Sequence, residues 1–368
     1  MNICLLSELF YPYLLGGAEK RYYEVAKRLA KKHNVTVYSI RLYGQKTHEV
    51  HEGVEIRRFG LKHPLNKRSL PQLTSYFECL IKSLKSNFDI IDANQGIASY
   101  IGLLKPFTSK PVFATFHDIY WNDWRKYFRF PLSCIGKVME FSWSKLKYDS
   151  IFTVSPQTKN KLIELGFRSK IEIIPSGIDL DFLNSINPEK DDNTIVYVGR
   201  LVKYKNLDKL LVSVSQVKKQ ISRIKLKIVG SGPEEFNLRV LAKKLDLNVE
   251  FLGFVSEEEK VRIIKSSSVL VNPSTLEGLG LVLIESMGCK TPIIARELDA
   301  YFFCNSKNSM LYENDGDLTN KILTLLTDKA MVSSMQKNGF ETAKKFSWDE
   351  ITKKIESVYL GCLNDKLC

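Results

Sequence analysis

At 368 residues the chain exceeds the usual size of a single folding domain, and its 44% hydrophobic content excludes a disordered protein and allows two well-filled cores. A net charge of +13 points to an anionic partner: nucleic acid, an anionic membrane surface or a phosphorylated substrate. The seven cysteines include no C-x-x-C pair, which fits reduced thiols in a cytosol better than a disulfide framework or a zinc site.

Residues 1–15 are apolar, but they have no basic leader and are interrupted by Glu8 and Pro12, so Asn2 to Ser7 reads as a first core strand rather than a signal peptide. No run approaches the ~20 apolar residues a membrane span needs. Gly16-Gly17-Ala18-Glu19 then opens a helix to about Lys32, with Tyr22, Val25, Ala26 and Leu29 on one face. Strands follow at 35–40, at 54–59 as an edge strand, at 89–93, at 111–115, at 151–154 and at 171–174, with a helix over 70–84. Continuous apolar strands alternating with helices imply a parallel, doubly wound sheet covered on both faces.

From Pro175 the chain turns rich in Pro, Gly, Asp and Asn, and residues 179–192 read as an interdomain linker. The alternation restarts at Thr194 to Val198 and continues with strands at 226–229, 249–252, 269–271 and 291–295. Ser256 to Glu259 forms a capping box, and beyond about residue 315 the pattern is wholly helical, with a second box at Ser347 to Glu350. The domains are therefore 1–178 and 193–345, with 346–368 as a terminal helix.

The most informative stretch is N-P-S-T-L-E-G-L-G-L-V-L-I-E-S-M-G-C, residues 272–289. A strand end, a glycine loop and a helix start are where open α/β sheets place anions. Glu277 and Glu285 would repel a bare phosphate there, but they suit a phosphate-linked sugar whose hydroxyls donate to carboxylates. Gly199-Arg200 and Lys205 share the loop after another core strand; such a pair of cations suits a diphosphate, with solvated loop charge as the plainer reading. Gly16-Gly17 reads either as a phosphate approach or as a tight helix-opening turn. Gly230-Ser231-Gly232 is a weak signal because it lacks the third glycine of the dinucleotide fingerprint. His117 directly follows an apolar strand, at the ligand-bearing edge of a parallel sheet, and its position reads equally as a ligand contact or as a satisfied structural histidine. Asp179-Leu180-Asp181 matches a D-x-D pattern, but a helix cap or solvated turn explains it better. No His, Cys and carboxylate cluster has ligand spacing, so no metal is expected. Residues 120–148 mix Trp121, Trp124, Tyr127, Phe128, Phe130, Phe141 and Trp143 with Arg125, Lys126, Arg129, Lys137, Lys145 and Lys147. That mixture suits a membrane interface, or a surface helix with its aromatics turned inward.

Taken in order, Gly16 to Glu19, His117-Asp118, Ser176 to Asp179, Val198 to Leu201 with Lys205-Asn206, Gly230 to Glu234 and Glu277 to Glu285 resemble the retaining glycosyltransferases of family 4, the group 1 family. The resemblance spans most of the chain. It implies a GT-B fold: two Rossmann-like doubly wound domains facing across a cleft, acceptor on the first, donor on the second, and the helix of 346–368 crossing back. It also implies site roles. Arg200, Lys205 and the amides of Gly280 and Leu281 would hold the donor diphosphate, Glu277 the transferred sugar, Glu285 the ribose, and Val255 the base. His117 would sit beside the bond being broken and Gly17 beside the phosphates. The expected reaction is transfer from a UDP- or GDP-sugar, as co-substrate rather than cofactor, to a glycan or lipid-linked acceptor. The expected place is the cytoplasm, peripheral at the inner face of the plasma membrane, with an anionic membrane surface as a further contact and no nucleic acid. One departure stands out: Arg296 to Asn305, R-E-L-D-A-Y-F-F-C-N, replaces the glycines and Pro-Glu usual in the family, which leaves the sugar open. A GT-B relative with epimerase or phosphorylase chemistry, and a non-enzymatic basic protein that binds membranes or nucleic acid, remain as alternatives.

Overall fold

The computed structural model describes the backbone of residues 1–14, 16–64, 70–127 and 129–364. The chain divides into two compact units: Met1–Gly177 together with the residues from Trp348 onward, and Ile178–Ser347.

In the first unit the strands are β1 (Asn2–Leu6), β2 (Asn34–Leu42), β3 (His48–His51), β4 (Val54–His63), β5 (Ile90–Asn94), β6 (Val112–Phe116), β7 (Ser150–Thr153) and β8 (Lys170–Ile173). They form one sheet in the order β3-β4-β2-β1-β5-β6-β7-β8, parallel except for β3 against β4. The expected edge strand at 54–59 is thus internal. The true edge is the unforeseen β3, whose residues His48, Glu49, Val50 and His51 lack the apolar run that marks a buried strand. Period-2 alternation sends Ile3 and Leu5 to one face and Cys4 and Leu6 to the other, and both faces are covered. One cover is the terminal helix Trp348–Asn364, whose Trp348, Ile351, Ile355 and Tyr359 share a core with Tyr22, Val25 and Ala26 of helix Gly17–Leu29. Residues 365–368 of the expected 346–368 helix lie outside the described residues.

In the second unit the strands are β9 (Thr194–Val198), β10 (Lys225–Val229), β11 (Val249–Gly253), β12 (Val269–Asn272), β13 (Ile293–Arg296) and β14 (Met310–Tyr312). The order β11-β10-β9-β12-β13-β14 is all parallel, with the strand order reversing between β9 and β12. Residues 180–185, expected within a linker, form a short helix instead. Asp179 caps it by accepting from the Phe182 N–H at 3.0 Å, so the D-x-D pattern is a helix start. Ser256 likewise caps its helix, accepting from the Glu259 N–H at 3.1 Å.

Candidate functional site

The reversal between β9 and β12 opens a crevice at their carboxyl ends, because the helices that follow the two strands lie on opposite faces of the sheet. The loop after β9 carries Arg200 and Lys205; the loop after β12 carries Glu277 and ends at Gly280. The two loops are tied together: Thr275 donates its N–H and hydroxyl to the Tyr204 carbonyl at 2.9 and 3.1 Å. Asn206 Nδ2 donates to the Pro273 carbonyl at 3.3 Å.

Lys205 and Glu277, assigned separate jobs from sequence, form one ion pair, with Nζ 2.5 Å from Oε1. Their side chains are only 12% and 16% exposed, so solvent screens the pair poorly and removing either partner strands a charge. Asn272 Nδ2 also donates to Oε1, at 3.2 Å. Oε2 has no hydrogen-bond partner among the described residues and stays available to a hydroxyl. Arg200 is exposed, and its Nη2 donates to the Tyr204 hydroxyl at 2.7 Å.

Helix Leu281–Gly288 begins at Gly280, which has φ +76° and no side-chain cap. A Cβ there would lie 2.4 Å from the Tyr301 ring, so conformation and packing both require glycine. The uncapped N–H groups of this first turn, Leu281 included, have the geometry for an anion. Glu285, buried on that helix, accepts from Lys260 Nζ at 2.9 Å. Burial pulls Lys260 down, but Glu285 and Glu257 outweigh it and hold the ammonium above its ordinary range. Val255 is half-buried in the turn after β11. The Gly230 motif has a structural cause: a Cβ on Gly230 would lie 2.0 Å from the Gly199 carbonyl oxygen, so the loops after β9 and β10 cross only because glycine is there.

Lys260, Asn272, Tyr204 and Tyr301 were not picked out in the sequence. Lys260 lies 25 positions from Glu285 on another helix, and no local pattern reports such a pair. Tyr301 comes from the departing segment 296–305. It is buried, and its hydroxyl accepts from Asn272 at 3.2 Å.

In the first unit, His117 directly follows β6 and is held in a neutral polar web. Its N–H donates to Gln95 Oε1 at 2.7 Å, and Nε2 meets Asn94 Oδ1 at 3.0 Å. Asn94 Oδ1 also accepts from the Gln95 N–H at 2.9 Å, which fixes that oxygen as the acceptor and puts the ring proton on Nε2. Burial, then the charge of Arg21, pushes His117 down to about 3, so the imidazole is neutral at physiological pH. Below the sheet edge, buried Asp92 accepts from the hydroxyls of Tyr22 at 2.8 Å and Tyr359 at 2.5 Å. Burial raises its carboxyl to about 6 against those bonds. Gly17 is the exposed first residue of its helix, and a Cβ there would meet nothing within 4 Å. Packing within the unit does not explain the glycine.

In the segment 120–148, Trp143 and Tyr148 are core residues, whereas Phe130 and Phe141 are exposed. Phe128 lies outside the described residues, as do the side chains of Lys126 and Tyr127. Among the described residues no three His, Cys, Asp or Glu side chains converge as a metal site, and no helix is long and apolar enough to cross a membrane.

Residues 181–358 match the family described as glycosyl transferases group 1, and residues 15–182 match glycosyltransferase family 4. An uncharacterized glycosyltransferase of Methanocaldococcus jannaschii is 27% identical over 96% of this chain and 97% of its own. An alpha-monoglucosyldiacylglycerol synthase of Acholeplasma laidlawii is 25% identical over 58% of each chain. Anabaena HepE, solved in complex with UDP-glucose, superposes with a TM-score of 0.76 at 18% identity, covering 98% of this chain and 100% of that one, which shows the shared fold.

Proposed function

The chain belongs to the group 1 glycosyltransferases, family 4, with a GT-B-type pair of Rossmann-like sheets, and from that premise we propose that it moves a sugar from a nucleoside diphosphate sugar to a hydroxyl of a lipid-linked or cell-surface glycan, with retention of anomeric configuration. The observation that carries the reading is the Lys205–Glu277 pair at the β9/β12 switch point, beside the bare helix start at Gly280. Cleaving the sugar–phosphate bond leaves its electron pair, and so negative charge, on the nucleoside diphosphate. Lys205, Arg200 and the Gly280–Leu281 amides are the groups to stabilise it, and their positive charge makes a metal unnecessary. Glu277 has two roles here. Oε1 fixes the Lys205 ammonium, which keeps two further donors, and Oε2 accepts from a sugar hydroxyl. Glu285, steadied by Lys260, suits the ribose hydroxyls, and Val255 the base.

Assigning His117 to the sugar and Gly17 to the phosphates rests on the family resemblance. The neutral Nε2–H tautomer suits hydrogen bonding rather than proton donation as an imidazolium. The UDP or GDP donor is supported by the UDP-glucose complex of a protein of like fold, and the lipid acceptor by the glycolipid synthase among the relatives. We place the reaction in the cytoplasm, at the inner face of the plasma membrane. The test is product analysis: UDP- or GDP-linked sugar plus glycolipid acceptor, with the new linkage read by NMR. A product with the donor's anomeric configuration is expected, and an inverted product contradicts the reading. Activity should persist in EDTA; loss restored by a divalent cation would overturn the metal-free proposal.

A further inference from the structure

Helix Leu132–Trp143 of the first unit buries one side, with Trp143 in the core, and leaves a row of apolar residues in solvent on the other. Its inward residues include Ser133, Gly136 and Glu140, while Leu132, Ile135, Val138 and Phe141 point outward at 62%, 60%, 67% and 47% exposure, preceded by Phe130 at 82%. Besides Trp143, which joins the core, small and polar residues dock the helix. A Cβ on Gly136 would lie 2.2 Å from the Trp124 ring, so the helix backbone lies directly on that ring. The Glu140 carboxylate accepts from the N–H groups of Tyr120 at 2.9 Å and Trp121 at 2.6 Å. The outward row recurs at every third position, so each residue neighbours the next while the row winds around roughly half the helix from Leu132 to Phe141.

Cations frame the strip. Lys137 Nζ lies 4.7 Å from the Trp121 ring centre and Lys145 Nζ 4.5 Å from that of Phe141. Past the C-terminal end lies a cavity of about 910 Å³ lined by Lys105, Lys145, Lys147, Tyr148, Phe167 and Arg168. Between Trp124 and Tyr148 the only acid is Glu140, and it faces inward. An exposed apolar strip usually marks an interaction surface. Here the cationic frame selects an anionic partner and disfavours a second copy of the same surface.

We propose that this face docks on an anionic lipid bilayer, with Phe130, Leu132, Ile135, Val138 and Phe141 entering the headgroup–acyl boundary and Lys137, Lys145, Lys147 and Arg168 meeting lipid phosphates. It rests on the lipid-acceptor reading for its purpose, but its test needs no turnover. The full chain is sedimented with vesicles of phosphatidylcholine alone and of phosphatidylcholine with phosphatidylglycerol. Wild type should bind the anionic vesicles selectively. Ile135→Asp with Val138→Asp, both outward-facing, should weaken that binding roughly tenfold or more. Lys145→Glu with Lys147→Glu, which leaves the strip intact, should weaken it in a salt-dependent way. A Phe141→Trp variant should be quenched by lipids brominated on their acyl chains. Wild type that ignores anionic vesicles, or binding unchanged in both double variants, overturns the proposal. So does self-association that the Ile135/Val138 variant abolishes, which would make the face a dimer contact. Intact vesicle binding without donor turnover would instead count against the transferase reading alone.

Discussion

The two units repeat one architectural idea with opposite chemistry. In each, the loops that carry the candidate site residues leave the carboxyl ends of parallel strands. In the second unit the charges are paired: Lys205 with Glu277 on the loops, and Lys260 with Glu285 on two helices beside them. In the first, a neutral web of His117, Asn94 and Gln95 sits between the carboxylates of Glu8 and Asp118, each held by a backbone N–H, above a buried Asp92 held by two tyrosine hydroxyls. The fold supplies the location and the side chains supply the chemistry. Paired charges in partial burial suit a charged diphosphate, and a neutral web suits positioning of sugar hydroxyls.

The comparison can be broken at its charged half first. Lys205→Ala should lower kcat/KM by about 10²–10³-fold, the loss typical when a donor to a developing anion is removed, and should depress Tm by stranding Glu277. A loss confined to Tm would leave Lys205 a structural residue. The next effect belongs to the first unit. Because the folded Asp92 pKa is raised to about 6 from an ordinary value near 3.8, the protonated form favours the native state. Its contribution is full below the unfolded pKa and is lost as pH rises through the folded one. Asp92→Asn should therefore gain on wild type, by up to about 3 kcal/mol, between roughly pH 4 and pH 7 in denaturant titrations. A gap that stays constant with pH would show that Asp92 is not buried as described. Glu285→Gln should raise the donor KM about tenfold with kcat little changed, since a ribose contact binds ground and transition states alike; a kcat loss of the same size would place it nearer the reacting bond. The smallest effect sharpens the neutral half. The His117 ring resonance should show no titration between about pH 5 and 8, and a midpoint near the ordinary 6.5 would make it a charged group like those of the second unit.

Much of this was legible because it is local. Parallel strands are apolar runs, so β9 and β12 announce themselves, and the residues that follow them, Arg200, Lys205 and Glu277, could be named as a site. What escaped is non-local or ambiguous. Whether Glu277 meets Lys205 or a ligand depends on strand order, which no spacing of 72 positions reveals. The segment 179–192 has turn-like composition because Asp179 caps a helix, and the residues that cap helices are the residues that make loops. The strand at 54–59 reads as an edge because Arg57 and Arg58 interrupt it. Arg58 is nonetheless buried, paired with Glu49 of β3 at 2.6 Å, and that partner is what makes the position internal.

The central claim is that the β9/β12 loops bind a nucleoside diphosphate sugar through Lys205 and Glu277. Isothermal titration of the full chain with UDP- and GDP-sugars tests it most directly, with Lys205→Ala and Glu277→Gln alongside. The account predicts saturable binding of one of these donors in EDTA, lost in Lys205→Ala and weakened in Glu277→Gln. Binding that survives both substitutions unchanged, or no binding of any donor by the native chain, would contradict it.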